Sequence, residues 1–320
     1  MHPPDAGFPL RLLTGRLRDQ WHTMTRTGAV PRLMAHAPEP VLAVHPADAG
    51  DAPDGSLVAV ESRWGRAVLR LRRDPGQPPG SVFAPMHWTD RFAPAARINA
   101  TVNPAVDPVS GQPELKHTPV GLVAVPMAWH GFMLFREALP PDLADWAATL
   151  PASPGIWRHE LAGLDPPAAA FARLRAAMAQ PYASLADTAW MVLEDPAAGL
   201  HRAALLRDGR LLACGFLGPS PELPPRGWLV GLFAEAAIGG AARRALLAGR
   251  LAEGSAPSPT ICVCHGVPLG RILAAIEAGS GSVAAVGEAT LAGTGCGSCR
   301  PEIATMIATR LAAARPREPA

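Results

Sequence analysis

Short apolar runs, broken by glycine, proline and aspartate, fill the first third of the chain. Leu10–Leu13, Val41–Val44, Leu57–Val60, Ala67–Leu71 and Val82–Phe83 each read as a strand. Leu57–Val60 and Ala67–Leu71 flank the turn Arg63-Trp64-Gly65-Arg66 as a hairpin. Residues 8–125 therefore predict a β-barrel with few helices. The pattern then changes. Pro166–Gln180 and Gly240–Glu253 have helical composition, and Asp208-Gly209 sits between Ala203–Leu206 and Leu211–Ala213 as a hairpin turn. Residues 126–255 are expected to form an α+β region, with Ser255–Pro259 as a linker. Beyond it, Leu269, Ile272, Leu273 and Ile276, then Ile303, Met306, Ile307 and Leu311, recur at helical spacing. Pro268 and Pro301 are helix start signals and Gly279 a stop signal. The fold class that follows is multidomain α+β, ending in a small helical domain over residues 260–312.

At 320 residues the chain has room for two or three domains with real cores. Its 36 prolines confine many segments to strands, turns and loops. A net charge of +2 gives no reason to expect a nucleic acid or an acidic membrane as partner. No run of apolar residues is long enough to span a bilayer, and the N-terminus does not read as a signal peptide.

Four of the five cysteines fall in the last sixty or so residues, as Cys262-Val-Cys264 and Cys296-Gly-Ser-Cys299. Two tight thiolate pairs suit a structural zinc or an iron–sulfur cluster, and the one-residue spacer of the first pair is short for zinc. The spacer of roughly thirty residues is enough for a helical hairpin that returns both pairs to one end, each just before a helix N-terminus. Gly293, Gly295 and Gly297 would let backbone approach the sulfurs. Cysteines spaced for a metal point to a reducing cytoplasm. Cys214, in an apolar run, reads as a small buried hydrophobe.

The run Cys-x-Cys, the spacer, then Gly-Cys-Gly-Ser-Cys-Arg-Pro-Glu resembles the bacterioferritin-associated-ferredoxin-type 2Fe–2S domain. The resemblance implies Cys262, Cys264, Cys296 and Cys299 as ligands, with Arg300, Thr294, Ser298 and backbone N–H groups tuning the potential. Two further strings, Leu12–Gly28 and Asp107–His117, resemble the dinucleotide-binding domain of the molybdopterin oxidoreductases, above all assimilatory nitrate reductase catalytic subunits. That implies a double-psi β-barrel and a partial site for molybdopterin guanine dinucleotide. Thr14, Gly15 and Arg16 would form a phosphate- or pterin-binding turn, although most strand–Gly–Arg turns are only turns. Gln20, Trp21, His22 and Thr23 would lie against the pterin. Asn99 matches a family asparagine, but Thr101 and Val102 depart from the pattern after it. Asp107, Gln112, Glu114 and Lys116 would close over the cofactor, or form a polar surface loop.

The resemblance implies the C-terminal portion of a nitrate reductase catalytic subunit, a fragment or split product, inactive on nitrate alone. Its partners would be an N-terminal molybdenum/4Fe–4S portion and an electron donor such as ferredoxin, flavodoxin or an NAD(P)H-dependent reductase. A standalone 2Fe–2S carrier or redox sensor and a zinc-stabilised binding module are the alternatives.

Overall fold

The structure is a computed structural model that describes residues 2–136, 143–251 and 258–314, with side chains through residue 310. Its first part is a closed six-stranded barrel of β1 (Leu10–Gly15), β2 (Val41–Val44), β3 (Leu57–Glu61), β4 (Arg66–Arg73), β5 (Ser81–Pro85) and β6 (Lys116–Ala124). Around the barrel the strands run in the order β1-β5-β2-β4-β3-β6. The pairing is mixed: β1–β5 and β2–β4 are parallel, while β3–β4, β2–β5, β1–β6 and β3–β6 are antiparallel. Each predicted strand of this region is found, usually extended by one or two residues. β6 was missed because Lys116-His117-Thr118-Pro119 reads as loop. Besides one-turn 3-10 segments, the region carries the short helix α1 (Pro31–Met34), opened by its proline.

The middle of the chain is a six-stranded antiparallel sheet. It contains β7 (Trp129–Phe135), β8 (Trp146–Ser153), β9 (Ile156–Gly163), β10 (Thr188–Asp195), β11 (Leu200–Arg207) and β12 (Arg210–Gly218), in the order β10-β11-β12-β7-β9-β8. Helix α2 (Pro167–Ala179) covers one face; α3 (Arg226–Leu232) and α4 (Gly240–Ala248) cover the other. β7 shows why most of this sheet escaped the sequence reading. It is buried along its whole length, so it has no polar alternation. Trp129, Met133 and Phe135 pack toward α2, whereas Phe132 and Leu134 pack toward α3 and α4. Phe132 stacks on Phe216 of β12 at 4.8 Å between ring centroids. Burying each ring stabilises the sheet by roughly 1.5–3 kcal/mol.

The expected helix Pro166–Gln180 and the Asp208-Gly209 hairpin are present. The expected helix Gly240–Glu253 is shorter. It stops at Ala248 because Gly249 turns left-handed (φ 65°) and caps it. Glu253 and most of the Ser255–Pro259 linker lie outside the described residues. Barrel and sheet share one core, in which Trp146, Ala148, Leu150 and Ala162 of the sheet join the barrel interior. A ladder of buried and half-buried charge ties the same interface. Glu39 pairs with Arg70 of β4 and with Arg158 of β9, and Glu160 pairs with Arg158 and with Arg226 of α3.

The last part holds β13 (Thr260–Cys262), β14 (Val267–Pro268), α5 (Leu269–Glu277), α6 (Val283–Thr290) and α7 (Arg300–Ala314), giving seven α-helices among the described residues. It has its own apolar core, built on Ile261, Ile272, Val286, Ile303 and Ile307. Pro268 caps α5 rather than opening it, and Pro301 is the second residue of α7. Among the described residues no helix is long and apolar enough to cross a membrane.

Candidate cofactor sites

The spacer between the cysteine pairs folds into α5 and α6 and brings the pairs together. The second pair leads directly into α7: Cys299 precedes Arg300, and its carbonyl accepts the amide of Ile303 at 3.0 Å. The first pair differs from expectation. Cys262 ends β13, and a tight turn with Gly266 (φ 64°) leads through β14 before α5 begins. A strand end, not a helix N-terminus, presents Cys262 and Cys264.

Cys264 Sγ lies 3.7 Å from the sulfurs of both Cys262 and Cys296. Two thiolates on one tetrahedral metal ion, each bonded at about 2.3 Å, sit roughly 3.8 Å apart, so the spacing suits metal ligation. Among the described residues no group of three or more His, Cys, Asp or Glu side chains is arranged around a single ion. Cys262 and Cys299 are buried, while Cys264 and Cys296 are exposed. Burial pushes the Cys299 thiol up to about 11, with Cys262 beside it adding to the rise. Burial also raises Cys262, but the backbone N–H groups of Gly293 and His265 outweigh it and hold that thiol below its ordinary value.

Backbone fits closely around these sulfurs. A Cβ on Gly295 would stand 2.9 Å from Cys264 Sγ, so only glycine leaves room there. Gly293 and Gly297 take left-handed φ values of 81° and 77°. Ser298 Oγ lies 3.2 Å from Cys296 Sγ, as expected of a hydroxyl serving a sulfur. The Thr294 hydroxyl instead donates to the Leu291 carbonyl and faces His265. The donor set and this close backbone fit a sulfur-ligated cluster. Cys214 is fully buried opposite Leu134, and burial raises its thiol far above the ordinary range, which makes it inert.

On the barrel, the two dinucleotide-site strings meet. Leu13 pairs with Lys116, and the Thr14 hydroxyl donates to the Leu115 carbonyl at 2.5 Å. Asn99 donates to the Met86 carbonyl, and the Met86 amide donates to the Gly15 carbonyl. The expected Thr14-Gly15-Arg16 turn is not a turn. Thr14 and Gly15 belong to β1 and pair with Ala84 and Pro85 of β5. The lack of a side chain at Gly15 serves packing, since a Cβ there would stand 2.5 Å from the Phe83 ring.

The loop after β1 turns Trp21, His22 and Thr23 outward, and Trp21 is 59% exposed. Trp21 and His22 stack at 5.4 Å and, with Thr25, Arg26 and Thr27, line an open depression of about 320 Å³. A flat aromatic face beside hydroxyl and guanidinium donors suits a polar heterocycle. Arg16 and Lys116 are also exposed. Gln20 faces the other way: it is buried, and its amide nitrogen donates to the Leu33 carbonyl. Asp107 caps its own turn through Ser110 and Val109, and Glu114 holds Asn103. Gln112 follows that turn, whose Val109 is 95% exposed, out in solvent.

The residue that organises this loop was missed. His87 is fully buried; its Nε2 accepts the Leu17 amide at 2.9 Å and its Nδ1 donates to the His22 carbonyl at 2.5 Å. Burial lowers its basicity, which keeps the ring neutral and able to do both. His22 and Met24 are held in left-handed backbone, at φ 47° and 59°. In sequence, a lone histidine after Pro85 carries no signal of that role.

Residues 10–119 match the family model of the molydopterin dinucleotide binding domain, and residues 260–309 match that of the BFD-like [2Fe-2S] binding domain. A nitrate reductase of Klebsiella oxytoca is 37% identical over 316 residues, covering 97% of this chain and 35% of that protein. A nitrate reductase of Shewanella frigidimarina is 30% identical over 180 residues, covering 49% of this chain and 19% of that protein. Acetylene hydratase from Pelobacter acetylenicus is similar in structure at a TM-score of 0.29 and 22% identity, over 37% of this chain and 18% of that one. The chain thus spans about a third or less of the length of these relatives. Residues 10–119 thus carry a molydopterin dinucleotide-binding domain and residues 260–309 a BFD-like [2Fe-2S] binding domain, and together they support both cofactors.

Proposed function

We propose that this chain serves a molybdopterin-dependent nitrate reductase of the assimilatory type, in the cytoplasm. It encloses part of a molybdopterin guanine dinucleotide and relays electrons through a 2Fe–2S cluster toward molybdenum. The observation that carries the reading is that four cysteines and a Trp–His-lined depression, far apart in sequence, sit on domains that touch each other. Cys262, Cys264, Cys296 and Cys299 would hold the cluster, which supplies one-electron chemistry when bound. Ser298 and the N–H groups of Gly293 and His265 direct positive dipoles at the sulfurs, which favours the reduced, more negative form. Trp21 and His22 would stack on the heterocycle, with Thr23, Thr14 and Asn99 shaping the wall and Arg16, Arg26 and Lys116 facing its phosphates. The mixed parallel and antiparallel barrel supports the double-psi reading. We take residues 8–125, 126–255 and 260–312 as the domains. A 4Fe–4S-bearing portion and a one-electron donor are the proposed partners, because the cysteines beyond the cluster set number only one.

Protein purified without oxygen should carry about two irons and two acid-labile sulfides. Cys299→Ala should lose them and Cys214→Ala keep them. The chain should take an electron from dithionite, yet show no nitrate-dependent oxidation of reduced viologen until a complementary chain is added. Stoichiometric zinc without sulfide, or nitrate turnover by this chain alone, would sink the reading.

A further inference from the structure

The cysteine domain touches the barrel through two arginines. Arg18 Nη2 donates to the carbonyl of Ile261 at 3.1 Å, and Arg32 Nη1 donates to the carbonyl of Cys264 at 3.2 Å. Both acceptors belong to the β13 turn that presents the first cysteine pair. Arg18 also bonds Glu302 of α7 at 2.5 Å and Asp19 at 3.1 Å, and Asp19 in turn faces His36 at 3.3 Å. Arg18 therefore neutralises two carboxylates at this face, while among the described residues Arg32 has only a neutral peptide carbonyl as its partner.

We infer that Arg18 and Arg32 are positioning residues that couple docking of the cysteine domain to reduction of its cluster. The inference rests on the 2Fe–2S reading. Reduction by a one-electron donor adds one negative charge and moves no atom between partners. Cations held against the cysteine turn stabilise that added charge and raise the potential. By linkage, the reduced cluster must then hold the barrel face more tightly than the oxidised one does. Removing Arg18 acts twice, since a cation leaves and Asp19 and Glu302 are left unneutralised. Removing Arg32 deletes one exposed cation. The docked face includes Arg18 and Arg32, which flank the loop lining the dinucleotide depression, so reduction is felt where the second cofactor would bind.

The test is an anaerobic redox titration of the full chain, followed by the electron-spin signal of the reduced cluster. Arg18→Ala should lower the midpoint potential, Arg32→Ala should lower it less, and Arg310→Ala, which removes a cation that pairs with Glu277, should leave it in place. Added salt should lower the wild-type value toward that of Arg18→Ala. Arg32 is exposed, so its variant remains a test should Arg18→Ala fold poorly. Iron and sulfide analysis separates the two failures. Zinc without sulfide removes the cluster reading and this inference together. A complete cluster whose potential is the same in wild type, Arg18→Ala and Arg32→Ala overturns this inference alone.

Discussion

Arg18 and Glu302 stand 284 residues apart in the chain and 2.5 Å apart in space. Glu302 lies in the first turn of α7, where a carboxylate already complements the helix dipole. Arg18 opens the loop that exposes Trp21 and His22. One ion pair thus joins the element that follows the last cysteine to the element that lines the depression.

A charge swap tests the pair. Arg18→Glu and Glu302→Arg should each loosen the contact between barrel and cysteine domain, and the double variant should recover only part of the loss, because a carboxylate at position 18 can neither donate to Ile261 nor neutralise Asp19. Both side chains are partly exposed, so a double-mutant cycle in urea should return a coupling of only about 0.5–1 kcal/mol. A cycle that sums to zero would mean that this ion pair contributes nothing and that the carbonyl contacts of Arg18 and Arg32 hold the domains.

Gly295 should be intolerant of a side chain. Gly295→Ala places a methyl group against Cys264 Sγ and His265 without deleting any thiol. Iron content after reconstitution should fall well below that of wild type, and air should bleach what remains faster. Gly281→Ala, at a position whose nearest non-adjacent atom is a backbone oxygen at 4.0 Å, is the matched control.

His87 should hold the cofactor loop. In His87→Phe the ring volume stays but both hydrogen bonds go, leaving the Leu17 amide without its partner. Hydrogen exchange of that amide should accelerate by at least tenfold, which corresponds to about 1.4 kcal/mol of lost protection. Amides in β7 should be unaffected.

Acid should unfold the chain in two stages, and the sign follows from which form the fold prefers. Burial, helped by Arg70, lowers His130 from 6.5 to about 4. Its contribution to stability is therefore complete above pH 6.5 and disappears as pH falls toward 4. Glu160 is pushed up by burial, but Arg158 and Arg226 outweigh that and bring it from 4.5 to about 2. Its contribution holds above pH 4.5 and is lost as pH falls through about 2. The urea midpoint should fall from pH 7 to 4, and His130→Leu should flatten that limb. Glu160→Gln should cost about 3 kcal/mol at pH 7, because it leaves two half-buried guanidinium groups without their shared carboxylate, although Arg158 keeps Glu39.

The cysteine spacing by itself determined the four thiols, the helical hairpin between them and the glycines around them, because ligand spacing and helix period are local properties of the chain. Most barrel strands were legible for the same reason: their short runs are bounded by glycine, proline and aspartate. Other features were decided only by the tertiary structure. β7 is covered on both faces, which erases the alternation that would reveal it. Thr14 and Gly15 read as a turn in sequence because their partners, Ala84 and Pro85, lie some seventy residues away. Gln20 and Trp21 look equally available in sequence, yet one is buried against Leu33 and the other faces solvent, a choice made by the clamp of His87 on Leu17 and His22. The union of the two sites through Arg18 and Arg32 depends on contacts across more than two hundred residues. Local pattern carries no record of such contacts, because they form only when independently folded surfaces meet.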